Sequence, residues 1–297
     1  MSNFKRGMGE ALVEKLGAEA LFQSKLKIDI EEGKVFFAIR NGYGSFYVNG
    51  SSLFSYSNSG FTTHHKFGFV PSTVGKDYIA EADLKHMSVI EKFIDGYDAI
   101  KERATKYAGI EASGVSALYK FAPTLKNLDE QYFLVDTEVV FNAANDTENQ
   151  ESDDSRKTDR IDILLYDNHK RQLLFCEAKH FSNSELWAKS NSKPKVVSQL
   201  NKYNNQISSK TKSIISEYEN TFAEYNQLMG TKLQSPLSVC KQCGLLIFGF
   251  DRNQMKRIKE LLIADGSLLG YKHKLIGDIL SNSRNTNTVK NIFTALR

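Results

Sequence analysis

Residues 158–179 read TDRIDILLYDNHKRQLLFCEAK, and no other stretch restricts the possible folds as much. Two short apolar runs, 161–166 and 173–176, flank the polar segment Asp167–Gln172. Apolar runs of that length, bounded by turn residues, predict the two strands of a β-hairpin. Side chains alternate across a strand, so Glu177 and Lys179 share one face while Cys176 and Ala178 share the other. A hairpin closing symmetrically over Asp167–Gln172 sets Asp162 opposite Glu177, with Cβ atoms roughly 4.5–5.5 Å apart.

Like charges directly opposite each other destabilise a sheet. A divalent cation resolves that conflict, and two carboxylates with waters form a hard-oxygen site suited to Mg²⁺. Lys179 then projects beside the cation, where it can orient a water or offset charge developing on a phosphate. An ordinary hairpin with a charged rim has the same local sequence. The arrangement resembles the PD-(D/E)XK nuclease superfamily, whose site is an Asp on one strand and (D/E)-x-K on the next. Asp162 and Glu177-Ala178-Lys179 match it, whereas Ile161 stands where the family name has proline.

Past a polar loop, Val196, Val197, Leu200, Tyr203, Ile207, Ile214, Tyr218, Phe222, Tyr225 and Leu228 recur at helical spacing. Gln199 and Tyr203 lie one turn apart on that helix. This Q-x-x-x-Y is similar to the helix motif of the RecB-like branch of the same superfamily. Residues 244–250, GLLIFGF, supply a further buried strand. Strand, strand with Asp, strand with ExK, helix with Gln, strand is the order of that superfamily's core, and the resemblance covers roughly residues 130–255.

The strand preceding the hairpin is expected at Tyr132–Phe141, with Asp136 and Glu138 on one face and Val135, Thr137 and Val139 on the other. The resemblance makes Glu138 a further candidate acid, and a Glu on the first core helix another. Glu111 and Glu102 are the candidates for that helix, and no motif fixes either. Residues 142–157 are polar and acidic, with the composition of a loop. Asp153, Asp154 and Asp159 therefore compete with Asp162 as the strand ligand. Asp162 is preferred, because it follows an apolar residue and Asp159 falls on the opposite face of a continued strand. Lys189, Lys193 and Lys195, in a loop with Trp187, are candidates for phosphate-backbone contacts or equally the lysines of an ordinary solvated loop.

Elsewhere, residues 9–22 predict a short amphipathic helix. Residues 25–75 predict a small antiparallel sheet of short runs (25–30, 34–40, 45–48, 52–56 and 67–70), punctuated by Glu32-Gly33, Asn41-Gly42 and Asn49-Gly50. His64 and His65, being adjacent, point to opposite faces of a strand and do not easily bind one metal together, so a surface or turn role is expected rather than metal ligation. Periodicity predicts helices over 82–107 and 113–121, the second ended by Pro123. Past Phe250, Asp251 is expected to cap a helix through Leu262, Gly266 to break it, and helices to follow over 268–280 and 289–296. Arg252, Lys256, Arg257, Lys259, Lys272 and Lys274 make this last third basic. The C-x-x-C of Cys240 and Cys243 has no second pair nearby, so it reads as incidental.

The expected class is thus α/β: a mixed central sheet flanked by helices, restriction-endonuclease-like, preceded by a small antiparallel β-rich unit. Provisional boundaries are 1–80 for that unit, 81–128 for a helical connector and 129–297 for the nuclease-like part. At 297 residues, with 41% hydrophobic and 25% charged, the composition is that of a globular protein. Neither an apolar run of ~20 residues nor a signal-peptide core is present, and three cysteines make no disulfide framework, so a cytoplasmic location is expected. A net charge of +4 is compatible with a polyanionic partner without requiring one. The resemblance implies a Mg²⁺-dependent phosphodiesterase, with Mn²⁺ able to substitute, acting on DNA in preference to RNA, in restriction, repair or defence. Asp162, Glu177 and the carbonyl of Ala178 would hold the metal, Lys179 would place the attacking water, Gln199 would orient the site and Tyr203 would pack behind it. A homodimer is compatible with it. A non-catalytic nucleic-acid-binding module on the same fold, an RNase, or a protein-interaction scaffold are the rival readings.

Overall fold

The computed structural model describes residues 4–70, 76–84, 88–141, 160–188, 192–279, 281 and 285–297. Two sheets organise them. The first contains β1 (Val35–Ile39), β2 (Gly44–Val48), β3 (Ser51–Ser57), β4 (Gly60–His64) and β5 (Tyr78–Ala80), in sequential antiparallel order. The second contains β6 (Tyr132–Val140), β7 (Arg160–Asp167), β8 (Gln172–His180), β10 (Gly244–Phe248) and β11 (His273–Ile276), in the order β11-β10-β8-β7-β6. Within it, β6, β7 and β8 run antiparallel, and β8, β10 and β11 run parallel. The two-residue β9 (Ser238–Val239) pairs with the start of β8. The chain is therefore mixed α/β, an antiparallel five-stranded sheet beside a mixed sheet flanked by helices.

The hairpin has the expected register, from Asp167↔Gln172 to Ile163↔Cys176. Its uninterrupted apolar runs follow from burial on both faces. Leu164, Tyr166, Leu173 and Phe175 join one core with the long helix α6 (Lys195–Met229). Ile163, Leu165, Leu174 and Cys176 join another with Val115 of α5 (Ile110–Ser116) and with Val289, Ile292 and Phe293 of α8 (Thr288–Leu296). The period-2 alternation of the strands thus sorts their side chains into two cores. β1 is divided in the same way, Val35, Phe37 and Ile39 into the first core, Phe36 and Ala38 into the second, so both sheets share both cores.

At 1.5 Å per residue α6 is about 50 Å long and reaches both sheets. Glu217 on it accepts the Arg6 N–H, and Glu224 accepts those of Met8 and Gly9, each at 2.8 Å. Gly230, at φ 70°, ends it in the left-handed conformation that a β-carbon disfavours. Between the sheets, Arg40 donates to Asp136 Oδ1 at 2.6 Å and to the Thr137 carbonyl at 2.6 Å, and the Tyr218 hydroxyl donates to Asp136 Oδ2 at 2.6 Å. Gly50, in the turn after β2, lies against α5: a β-carbon there would fall 2.4 Å from the Ala112 backbone.

Several expected elements are corrected. Residues 22–31 form helical turns rather than a strand, a π-turn (Phe22–Leu26) followed by α2 (Lys27–Glu31) after α1 (Glu10–Ala18). Phe22, Leu26 and Ile30, four apart, are fully buried on one side, a spacing that short-run reading misses. Residues 67–70 are turn and loop, while β4 and β5 lie outside the expected runs. The long helix over 82–107 resolves into α3 (Glu81–Leu84) and α4 (Tyr97–Thr105), with non-helical backbone over 88–96. There the Phe93 N–H donates to the Glu81 carboxylate, and Ile90 fills the space beside Gly96. Between Leu268 and Ile279 the structure has β11 rather than helix, because its pairing with β10 extends the sheet. Asp251 caps α7 (Arg252–Ile258) through a reciprocal bond with Gln254.

Candidate metal centre

Pairing of β7 with β8 ends at Ile163↔Cys176, one step before Asp162 and Glu177 would face each other. There the Asp162 side chain replaces the ladder: its Oδ2 accepts the Ala178 N–H at 2.7 Å. This contact with Ala178 is made through the amide rather than the carbonyl. Glu177, 2% exposed, accepts the Lys179 ammonium on Oε1 at 2.7 Å, and its Oε2 is buried without a hydrogen-bond partner. Lys179 is also buried, and its Nζ reaches Glu185 Oε2 at 2.9 Å.

Electrostatics follow from this crowding. Burial, and then the neighbouring Glu177 and Glu138, push the Asp162 carboxyl well above the usual carboxylate range. Burial pushes Glu177 up to about 7 against the opposing pull of Lys179. Burial opposes the charge on Lys179, but Glu177 and then Asp162 and Glu185 outweigh it and hold the ammonium above its ordinary value. The two carboxylates are thus destabilised as anions, and Lys179 is fixed as a cation.

Glu138 stands beside Asp162 on β6, bracketed by the pairs Thr137↔Ile163 and Val139↔Ile161, in a left-handed conformation at φ 53°. Such a backbone costs a residue with a β-carbon about 1–2 kcal/mol and often marks a functional position. Asp136 and Glu138 do not share surroundings as simple alternation predicts. A register shift between Leu134 and Asp136, followed by the left-handed Glu138, breaks the period. Asp136 is buried against Arg40 and Tyr218, whereas Glu138, Asp162 and Glu111 line one cleft with Tyr47, Thr137 and Tyr119. Glu111 Oε1 accepts the His180 N–H at 2.7 Å and the Asn183 amide at 2.8 Å, tying α5 to the end of β8. Glu102, the other helix candidate, is exposed and paired with Lys106.

One face of α6 reaches the start of β7 and the one-turn helix Ser184–Leu186 that follows β8. Residues four apart on a helix share a face, and here Lys195, Gln199 and Tyr203 do so. Lys195 Nζ donates to Glu185 Oε1 at 2.6 Å, and the Tyr203 hydroxyl donates to the Arg160 carbonyl at 2.9 Å. Gln199 lies between these contacts, its carboxamide oxygen buried without a partner. Lys193 is exposed, and Lys189, Asp153, Asp154 and Asp159 lie outside the described residues. Nearby, the Arg257 guanidinium sits 4.7 Å from the centre of the Trp187 ring. Sequence reading missed Glu185, since an isolated Glu in a polar loop carries no motif.

A second cluster corrects another expectation. β4 ends at His64 and the chain turns, so the His64 and His65 rings stack 4.7 Å apart instead of diverging. With Asp77 they are the group among the described residues whose three ligand atoms lie within 4.8 Å of one another. The Lys66 N–H donates to His64 Nδ1, which leaves the proton of a neutral ring on Nε2 and so opposes ligation there. Cys176, Cys240 and Cys243 are free and buried, and burial pushes all three thiols up, away from the reactive thiolate.

Comparisons with protein-family models, curated proteins and solved structures return no match for this chain. The residues themselves fit a hard divalent cation. Glu177 has an unpartnered buried oxygen and Asp162 is strained as an anion, the two conditions a cation relieves. Among the described residues, Asp162 and Glu177 do not combine with a third His, Cys, Asp or Glu to bring three ligand atoms within 4.8 Å of one another.

Proposed function

We propose that the protein is a Mg²⁺-dependent nuclease of the PD-(D/E)XK type, acting on phosphodiester bonds in DNA. One observation carries the reading: where β7 and β8 part, Asp162 accepts the Ala178 N–H between Glu177 and Lys179, which are themselves paired, and Tyr203 of α6 bonds the Arg160 carbonyl two residues before Asp162. The antiparallel hairpin followed by a long helix and a parallel strand supports it.

Asp162 and Glu177 would hold Mg²⁺, or Mn²⁺ in its place, with Glu138 and Glu111 across the cleft as further acids. Such an ion supplies a lowered pKa for its water and a counter-charge for the phosphate. Lys179, held as an ammonium, stabilises negative charge developing on the phosphate and does not act as a base. Tyr203 fixes the start of β7 through the Arg160 carbonyl and so keeps Asp162 in place, while Gln199, one turn earlier, has a buried carboxamide oxygen that would orient the site. Lys193 and the basic α7 are suited to phosphate-backbone contacts, whereas Lys195 is paired with Glu185. A role in restriction, repair or defence, a cytoplasmic location and a homodimeric state belong to the same reading; among the described residues no helix is long and apolar enough to cross a membrane.

Purified protein incubated with linear, circular and single-stranded DNA and with RNA, in Mg²⁺, Mn²⁺ or chelator, tests it. Metal-dependent DNA cleavage that Asp162→Asn and Glu177→Gln abolish is expected. Binding without cleavage under either metal would indicate a nucleic-acid-binding module, and neither activity would refute the reading.

A further inference from the structure

We propose that Glu185 is the positioning residue for Lys179, holding its ammonium at the reaction centre while Glu177 is committed to the cation. The inference rests on the nuclease reading of the site.

Lys179 has two carboxylate partners, Glu177 Oε1 at 2.7 Å and Glu185 Oε2 at 2.9 Å. In the proposed site Glu177 has two duties, since the same carboxylate must neutralise a divalent ion. Once its oxygens are drawn to that ion, its hold on the lysine weakens. A lysine is a point charge on four flexible methylenes, so a single loosened contact leaves its position undefined. Glu185 has no competing duty of that kind and is built into place. It lies on the one-turn helix Ser184–Leu186, its N–H donates to Asn183 Oδ1 at 2.8 Å, and Leu186 beside it is fully buried. The Asn183 amide in turn donates to Glu111 Oε1 at 2.8 Å. Lys195 holds the second Glu185 oxygen at 2.6 Å, which turns Oε2 towards Lys179. The chain Lys195–Glu185–Lys179–Glu177 therefore alternates in charge from the surface into the site.

Two readouts separate this role from a structural one. The first needs neither metal nor substrate: acylation of lysine amines in the metal-free protein, with Lys179 followed by peptide mass spectrometry. Glu185→Ala is expected to raise Lys179 labelling about 10-fold, the scale of a lost charge-assisted hydrogen bond. The second is cleavage kinetics: kcat should fall about 10- to 100-fold in Glu185→Ala, with KM for DNA within twofold of wild type. The isostere Glu185→Gln, which keeps an acceptor but loses the charge, should fall between. Unchanged labelling overturns the clamp whatever the kinetics show. Unchanged kcat in Glu185→Ala, where Lys179→Ala is inactive, overturns the positioning role and leaves the nuclease reading intact. A wild-type protein that cleaves nothing under any metal overturns the nuclease reading, and the catalytic role of Glu185 with it, while increased labelling would still establish the clamp.

Discussion

Glu138 and Asp162 lie side by side on β6 and β7, and Glu138 reaches that position only through a left-handed backbone at φ 53°. A β-carbon in this conformation costs about 1–2 kcal/mol, a penalty glycine escapes. Glu138→Gly is therefore expected to be more stable than Glu138→Ala by about 1 kcal/mol in urea denaturation. The exposed Arg160 pairing, at 3.7 Å, contributes little and is lost in both variants. Equal stabilities would contradict the strain.

The pH dependence of stability should carry the mark of Glu177. Burial raises this carboxyl from an ordinary 4.5 to about 7, so between those values the folded state holds a proton that the unfolded chain has released. The contribution of the group is full below about pH 4.5 and is lost as pH rises through about 7; Asp162 is shifted in the same direction. Without metal, Glu177→Gln should match wild type near pH 4 and exceed it near pH 8 by on the order of 1–3 kcal/mol. A difference that does not vary with pH would contradict the assignment. Mg²⁺ should raise the melting temperature of wild type at pH 8 and leave that of Glu177→Gln unchanged.

Arg40 joins the two sheets through charge that is fully desolvated. Arg40→Met strands the buried Asp136 carboxylate with less compensation, and a loss of about 3–5 kcal/mol is expected. A loss under about 1 kcal/mol in chemical denaturation would show that the bridge is replaceable.

Glu111 depends on how closely α5 approaches the sheet. A β-carbon at Gly114 would lie 2.2 Å from the Phe248 ring, whereas one at Gly109 meets nothing within 4 Å. Gly114→Ala should cost about 1–3 kcal/mol, and Gly109→Ala less than about 1 kcal/mol. Similar costs at both positions would contradict the close approach.

The parts of this structure that the sequence reveals are those governed by local periodicity. The hairpin register is legible because apolar runs on both sides of Asp167–Gln172 leave one symmetrical closure, and α6 because its apolar spacing persists over many turns. The parting of the strands at Asp162 is not legible, since it depends on a side chain taking the place of a backbone acceptor. Nor is the break before Tyr97, where Ile90 and Phe93 keep helical spacing but pack through a folded-back turn. β11 is hidden for a related reason: as the outer partner of β10 it is only partly buried, and its four residues lack an apolar alternation. At the site, Glu177 and Lys179 are legible from one tripeptide, whereas Glu185 becomes a partner of Lys179 only through a loop anchored by Asn183 and Leu186.

Single-turnover cleavage of DNA in Mg²⁺ by wild type and by Lys179→Ala, with binding measured on the same samples, shows whether Lys179 serves the chemistry. A chelator-sensitive wild-type rate that drops at least about 100-fold in the variant, with DNA binding retained, is expected. A variant that cleaves as fast as wild type would contradict that role.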